Sequence, residues 1–171
     1  MKTMDPMRPV FFVKIDQKIF VSSFIRSVNL EFLKSLGVKT VINLTGSLGR
    51  PNEKAFKGSG INYVTINLDL PYEKKYEEIL RNIRGCTVIH CGAGRTSSVV
   101  AVAYLAAKGV PVQKAIETVN AKIGLSLDLW PQDIALFKRL REISLERKRK
   151  APMVRAAEKR VVRLKRGSVR G

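Results

Sequence analysis

The sequence predicts an α/β fold: a central, mostly parallel sheet flanked by helices, followed by a basic C-terminal tail. Three observations lead there. Over residues 38–107, short runs rich in Val and Ile alternate with segments of helical period, and this alternation is the signature of a parallel sheet covered on both faces. The chain has 171 residues, 45% of them hydrophobic, which suits one domain with one core. Beyond Leu145 the composition changes abruptly to Lys and Arg.

The elements follow in order. Residues 10–14 and 18–22 read as two short strands about Asp16 and Gln17. A helix over 28–36 places Leu30, Leu33 and Leu36 on one side and stops at Gly37. Residues 38–44 (VKTVINL) read as a buried strand, and Gly46, Gly49 and Pro51 mark a loop before a short helix over 52–57. Residues 61–67 (INYVTIN) form the next strand. Pro71 opens a helix over 71–83, with Tyr72, Tyr76, Ile79, Leu80 and Ile83 at helical spacing. Residues 86–90 (CTVIH) make another strand, then a turn, then an Ala-rich apolar helix ending at Ala107 and Gly109. Pro111 opens a helix to about residue 122. Pro131 opens the last, with Ile134, Phe137, Leu140, Arg141 and Leu145 on its periodic positions. Pro152 is expected to interrupt any continuation, leaving a short basic amphipathic helix near 153–165. The expected division is a domain over 1–146 and a basic extension over 147–171, either a flexible tail or that short helix.

The formal net charge is +18, and residues 147–171 carry +10 of it, with 11 Lys/Arg against Glu158 alone. Such a field favours anionic partners: nucleic acid, an anionic membrane, an acidic protein or a phosphorylated ligand. A solvated tail explains the run equally well. No aromatic residue lies within 147–171, so base stacking has little support there. Nucleic-acid binding through 147–171, steeply salt-dependent, is carried as a candidate property. No apolar run reaches 18 residues and Met1 to Pro9 contain no signal-peptide core, so membrane insertion is not expected. The two cysteines, Cys86 and Cys91, sit about 16 Å apart if 86–90 is extended, too far for a disulfide. Free thiols point to a reducing, cytoplasmic setting. The chain gives no signal of oligomeric state.

The informative stretch is VIHCGAGRTSS, residues 88–98. It passes from an apolar strand into a helix through Gly92, Ala93 and Gly94, small residues that let successive backbone N–H groups point at one centre. The helix beyond adds its own free N–H groups and positive end. A dianion such as phosphate suits that array, with Gly92, Ala93, Gly94, Arg95, Thr96, Ser97 and Ser98 as the binding loop. Cys91 stands at its mouth, where the amides favour the thiolate, a nucleophile able to attack phosphorus. Arg95 would hold phosphate oxygens by parallel bonds. Ser97 or Ser98 would cap the helix or assist Cys91 as leaving group, and His90 would orient the loop without taking a proton. Each part alone is ordinary; a Gly-rich turn is common and Cys is often a small core residue. Their co-occurrence is what points to phosphate. No Walker lysine follows Gly94, and the third glycine of a dinucleotide fingerprint is absent. An acyl-transfer dyad is disfavoured because His90 and Cys91 are strand neighbours whose side chains diverge.

Ester cleavage also needs an acid for the departing oxygen. Asp69, just beyond the strand 61–67, is the first candidate, since strand ends face the ligand crevice of an open sheet. Capping of helix 71–83 is its competing role. Asp128 and Asp133 stand in reserve, and Gln132 is a candidate for positioning water. The reaction so assembled uses no metal or cofactor.

Over residues 18–143 the chain resembles the cysteine-dependent protein tyrosine and dual-specificity phosphatase superfamily. The likeness lies in FLKSLGVKTVINLTG (32–46), NLDLP (67–71), VIHCGAGRTSS, AYLAAKG (103–109) and VPVQKAIETVNAK (110–122). It implies a central sheet flanked by helices, with Cys91 as nucleophile, His90 before it, Gly94 as the loop glycine, Asp69 as general acid and Gln132 as the water-positioning glutamine. One departure stands out. The family places its arginine six residues after the cysteine, where this chain has Ser97, while Arg95 comes four after. Either the arginine is replaced or the loop has lost two residues. The interval from Asp69 to Cys91 is also short. The expected activity is phosphomonoester hydrolysis through a cysteinyl-phosphate intermediate, on phosphorylated protein or another phosphate ester. The alternatives are a noncatalytic phosphate or phosphoprotein binding module, and an RNA- or nucleotide-directed phosphatase that uses the basic tail.

Overall fold

A computed structural model describes residues 9–167. Five strands form one sheet in the order β1 (Phe12–Lys14), β2 (Ile19–Ser22), β5 (Thr87–His90), β3 (Thr40–Asn43), β4 (Asn62–Thr65). Only the β1–β2 hairpin is antiparallel. The predicted alternation is what makes this possible, because each parallel neighbour needs a helical crossover.

Strand residues alternate between two cores, as a pleat requires. Phe20, Val41 and Val88 face Ile25, Leu33 and Phe56, under α1 (Leu30–Ser35) and α2 (Arg50–Phe56). Ile19, Val21, Ile42 and Ile89 face the other four helices: α3 (Tyr72–Asn82), α4 (Arg95–Ala107), α5 (Val112–Ile123) and α6 (Pro131–Gly167). Helix α4 is buried from Ser97 to Ala106 except Val99, which explains its Ala-rich, uncharged sequence. Phe137 of α6 is fully buried against Tyr76 of α3, ring centroids 5.4 Å apart. Arg141 donates to the carbonyl of Gly109, and Lys148 to that of Lys108, so α6 closes the end of α4.

The strands are one to three residues shorter than predicted, and two proline readings change. Pro51, expected in a loop, lies in the first turn of α2, where its missing N–H costs nothing. Pro152, expected to stop the last helix, stands inside α6, which continues to Gly167. That helix is about 55 Å long and crosses the expected boundary at 146/147 without a break. The bond that Pro152 cannot make belongs to the carbonyl of Lys148, an exposed residue whose backbone water can solvate. The helix expected near 153–165 is therefore the continuation of α6. Residues 168–171 of the basic extension lie outside the described residues.

At their C-terminal ends the strands finish in a polar row: Ser22, His90, Asn43 and Thr65 are register partners across four strands. Ser22, His90 and Asn43 are fully buried. This row is the floor of the candidate site.

Candidate active site

Cys91 is where β5 leaves the sheet. Its N–H donates to the carbonyl of Ser22 (3.3 Å), and Phe24 donates to that of Gly92 (3.1 Å), so the loop is fastened to the end of β2 and the segment that follows it. The chain turns at Gly94 (φ 92°), a left-handed conformation that glycine adopts readily, and α4 begins at Arg95. The Phe11 ring packs against Gly94 so closely that an added Cβ would lie 2.4 Å from it. Glycine is needed there twice over, for conformation and for space.

Cys91 is 6% exposed, and its sulfur accepts the N–H of Gly94 at 3.1 Å. Among the described residues, the N–H groups of Gly92, Ala93, Arg95, Thr96 and Ser97 have no protein acceptor. Those of Arg95, Thr96 and Ser97 form the open first turn of α4, which carries the positive end of the helix dipole. The sulfur thus sits low beside a set of unused donors.

Ser97 and Ser98, equivalent in the sequence, separate in the structure. Ser97 Oγ is 3.7 Å from the Cys91 sulfur, 3.1 Å from the Ser22 carbonyl and 2.9 Å from that of Gly94. Ser98 Oγ donates to the Gly94 carbonyl at 2.7 Å and has no contact with the sulfur. Ser97 is thus the hydroxyl beside the sulfur: it accepts from the thiol while its own proton is shared between the carbonyls of Gly94 and Ser22, and it would have to turn from them to donate to a thiolate.

Gly94, three residues after Cys91, occupies the helix cap, and α4 opens directly with Arg95. Residues 95 and 97 are about 200° apart around a helix axis. With Ser97 buried toward the sulfur, Arg95 faces outward, and its guanidinium pairs with Asp128 at 3.0 Å. Both partners are more than half exposed, a kind of pair worth about 0–1 kcal/mol.

His90 lies fully buried beneath the loop. The N–H of Ile25 donates to its Nδ1 (3.4 Å), so Nε2 carries the proton and donates to the Tyr63 hydroxyl (3.0 Å). Burial pushes the His90 pKa down to about 4 and that of Tyr63 up to about 12, so both are neutral at pH 7. Nothing in the sequence marked Ile25 or Tyr63 as partners of His90; the link is purely spatial.

Asp69 lies exposed after β4, its N–H held by Asn67 Oδ1 (2.9 Å). It does not cap α3, whose N-cap is Pro71 with no side-chain bond. Its competing structural role is thereby removed. The carboxylate lines a cleft of about 840 Å³ with Gly46, Ser47, Glu53, Thr65 and Asn67, at the same sheet end as Cys91. Asp128 is taken up by Arg95. Asp133 is buried and closes the start of α6, accepting the N–H of Trp130 at 2.9 Å. Gln132 is exposed in the first turn of that helix.

No protein-family model matches the chain, and no curated protein sequence matches it. Solved structures do. The crystal structure of PTPMT1 superposes with a TM-score of 0.70 at 18% identity, covering 82% of this chain and 99% of that one. Tk-PTP in its active form gives 0.63 at 21% identity, covering 78% and 97%. The human tyrosine phosphatase-like serine/threonine/tyrosine-interacting protein gives 0.63 at 15% identity, covering 78% and 97%. The chain therefore shares the fold of these phosphatase and phosphatase-like structures. The likeness at these identities is one of fold, and the chemistry rests on the residues above. Among the described residues, no helix is long and apolar enough to cross a membrane.

Proposed function

We propose that the protein hydrolyses phosphate monoesters through a cysteinyl-phosphate intermediate. The observation that carries this is the Cys91 sulfur receiving the Gly94 N–H beside five amides without acceptors. A phosphoryl group seated on Gly92–Ser98 takes those donors. The Cys91 thiolate attacks phosphorus; the P–S bond forms as the P–O bond to the leaving group breaks. Asp69 in its acid form gives its proton to the departing oxygen. As carboxylate it then takes a proton from water, whose oxygen displaces the sulfur and releases inorganic phosphate. Ser97 donates to the sulfur as it leaves. Arg95 exchanges Asp128 for an outer phosphate oxygen, and Gln132 orients the water. Phosphotyrosine, phosphoserine and phosphothreonine in proteins are the leading substrates. A structural neighbour, PTPMT1, has been solved in complex with PI(5)P, which supports nonprotein phosphate esters as a second class.

The test is turnover of an aryl phosphate in the presence of a chelator, for the intact protein and for Cys91→Ser. Hydrolysis by the first and its loss in the second are expected. Equal rates would remove Cys91 from the chemistry.

One observation supports a second reading, binding without turnover: the buried residue of α4 beside the sulfur is Ser97, an uncharged hydroxyl, while Arg95 pairs outward with Asp128. That reading expects phosphopeptide or phosphate binding by calorimetry, weakened in Arg95→Ala, with no product formed. Absence of any oxyanion binding would defeat both readings.

A further inference from the structure

Away from the loop, a groove of about 790 Å³ runs between α3, the end of α4 and α6. Its floor is apolar: Leu80, Ala107, Leu140 and Ile143. Ile143 is 38% exposed, so part of this floor faces water. Arg81, Arg147 and Lys148 stand on the rim, and none has an ion pair among the described residues. The one acid of the rim, Glu77, is held by Lys74 at 2.8 Å. From this groove α6 continues without a break, and Arg147, Lys148, Arg149 and Lys150 follow one another at exposed positions.

We propose that the groove and the adjoining run Arg147–Lys150 of α6 form one docking surface for an acidic, amphipathic segment of a partner protein. The chemistry selects that occupant. An apolar slot between helices takes the apolar ridge of a third helix, and the cations on the rim, with Arg149 and Lys150 next to them, take carboxylates on its flanks. A second copy of this chain is repelled by its formal charge of +18. A bilayer is flat on this scale and does not enter a slot. Nucleic acid supplies phosphates but no apolar ridge, and residues 147–171 offer no aromatic side chain for stacking.

The probe is an 18-residue synthetic peptide with Leu at i, i+3, i+4 and i+7 and Glu elsewhere, labelled for fluorescence anisotropy at physiological salt. The full chain is compared with Ile143→Lys. This substitution raises the net positive charge while removing the apolar anchor, so the two explanations of binding predict opposite signs. Docking predicts at least a fivefold weaker complex. Phosphatidylserine-containing vesicles and poly(U) are expected to bind as before or more tightly. A second pair, Arg81→Glu in the groove and Lys57→Glu beyond α2, tests location at equal charge: a loss of fivefold or more for the first and under twofold for the second. Thermal melting by circular dichroism verifies that each variant is folded, and the charge pair decides the matter if Ile143→Lys is not. Unchanged or tighter peptide binding in folded Ile143→Lys overturns the proposal, as do equal losses in the charge pair. Vesicle or poly(U) binding that falls with Ile143→Lys while peptide binding holds overturns it in favour of that ligand.

Discussion

His90 is the only histidine of the chain, which makes its burial directly measurable. Its pKa lies at about 4 against an ordinary 6.5, because burial disfavours the imidazolium. Protonation would also set an N–H of the ring against the N–H of Ile25, breaking the bond that Nδ1 accepts. Between pH 6.5 and about 4 the unfolded chain therefore binds a proton that the folded chain refuses. Folding stability is complete above pH 6.5 and falls as the pH drops through this window, levelling off below about 4. At 1.36 kcal/mol per unit, the total loss is about 3 kcal/mol. The loss is large against a typical domain stability of about 5–15 kcal/mol. Urea unfolding at a series of pH values measures it, with His90→Gln as the control that lacks the titration. The single imidazole resonance gives the folded pKa by proton NMR. A resonance titrating near 6.5 in the folded protein would refute the reasoning, as would the same pH slope in His90→Gln.

Two further predictions concern the loop. Gly94→Ala places a methyl group into the Phe11 ring at a backbone angle that side chains avoid, and should cost about 2–4 kcal/mol in urea unfolding. Adding Phe11→Ala relieves the contact but not the backbone, so less than full recovery is expected; a Gly94→Ala protein as stable as the original would contradict this packing. Ser97→Ala should slow breakdown of the cysteinyl phosphate by about tenfold while leaving its formation nearly unchanged, whereas Ser98→Ala should lower stability by about 1 kcal/mol and leave both steps alone. Burst kinetics separate the two steps, and equal effects of the two substitutions would erase the distinction drawn here.

Local signals in the sequence carried much of this architecture. Short apolar runs located every strand, and the prolines at 71, 111 and 131 located three helix starts. Pro152 misled because the rule for proline is local, whereas α6 continues past it where the orphaned carbonyl belongs to an exposed residue, Lys148. The loop was legible as a run of residue types, but the roles within it depend on where α4 begins. Two residues of shift at Gly94 would exchange the faces of Ser97 and Arg95, and no composition or period fixes that start. Asp133 illustrates the same gap: as a sequence it is an acid near a site, and as a structure it is a helix cap. The contributions of Phe11, Ser22, Ile25 and Tyr63 had no signal, since each reaches the site from a distant part of the chain.

The fastening of Cys91 and Gly92 to Ser22 and Phe24 ties together stretches about 70 residues apart. In a growing polypeptide the first hairpin is made long before the thiol, and must keep one edge available until the central strand slides in beside it. Assembly of the reactive centre is then a late, nonlocal event, slow by the measure of contact order. Damage to the opening 25 residues would silence the chemistry without touching any group that performs it.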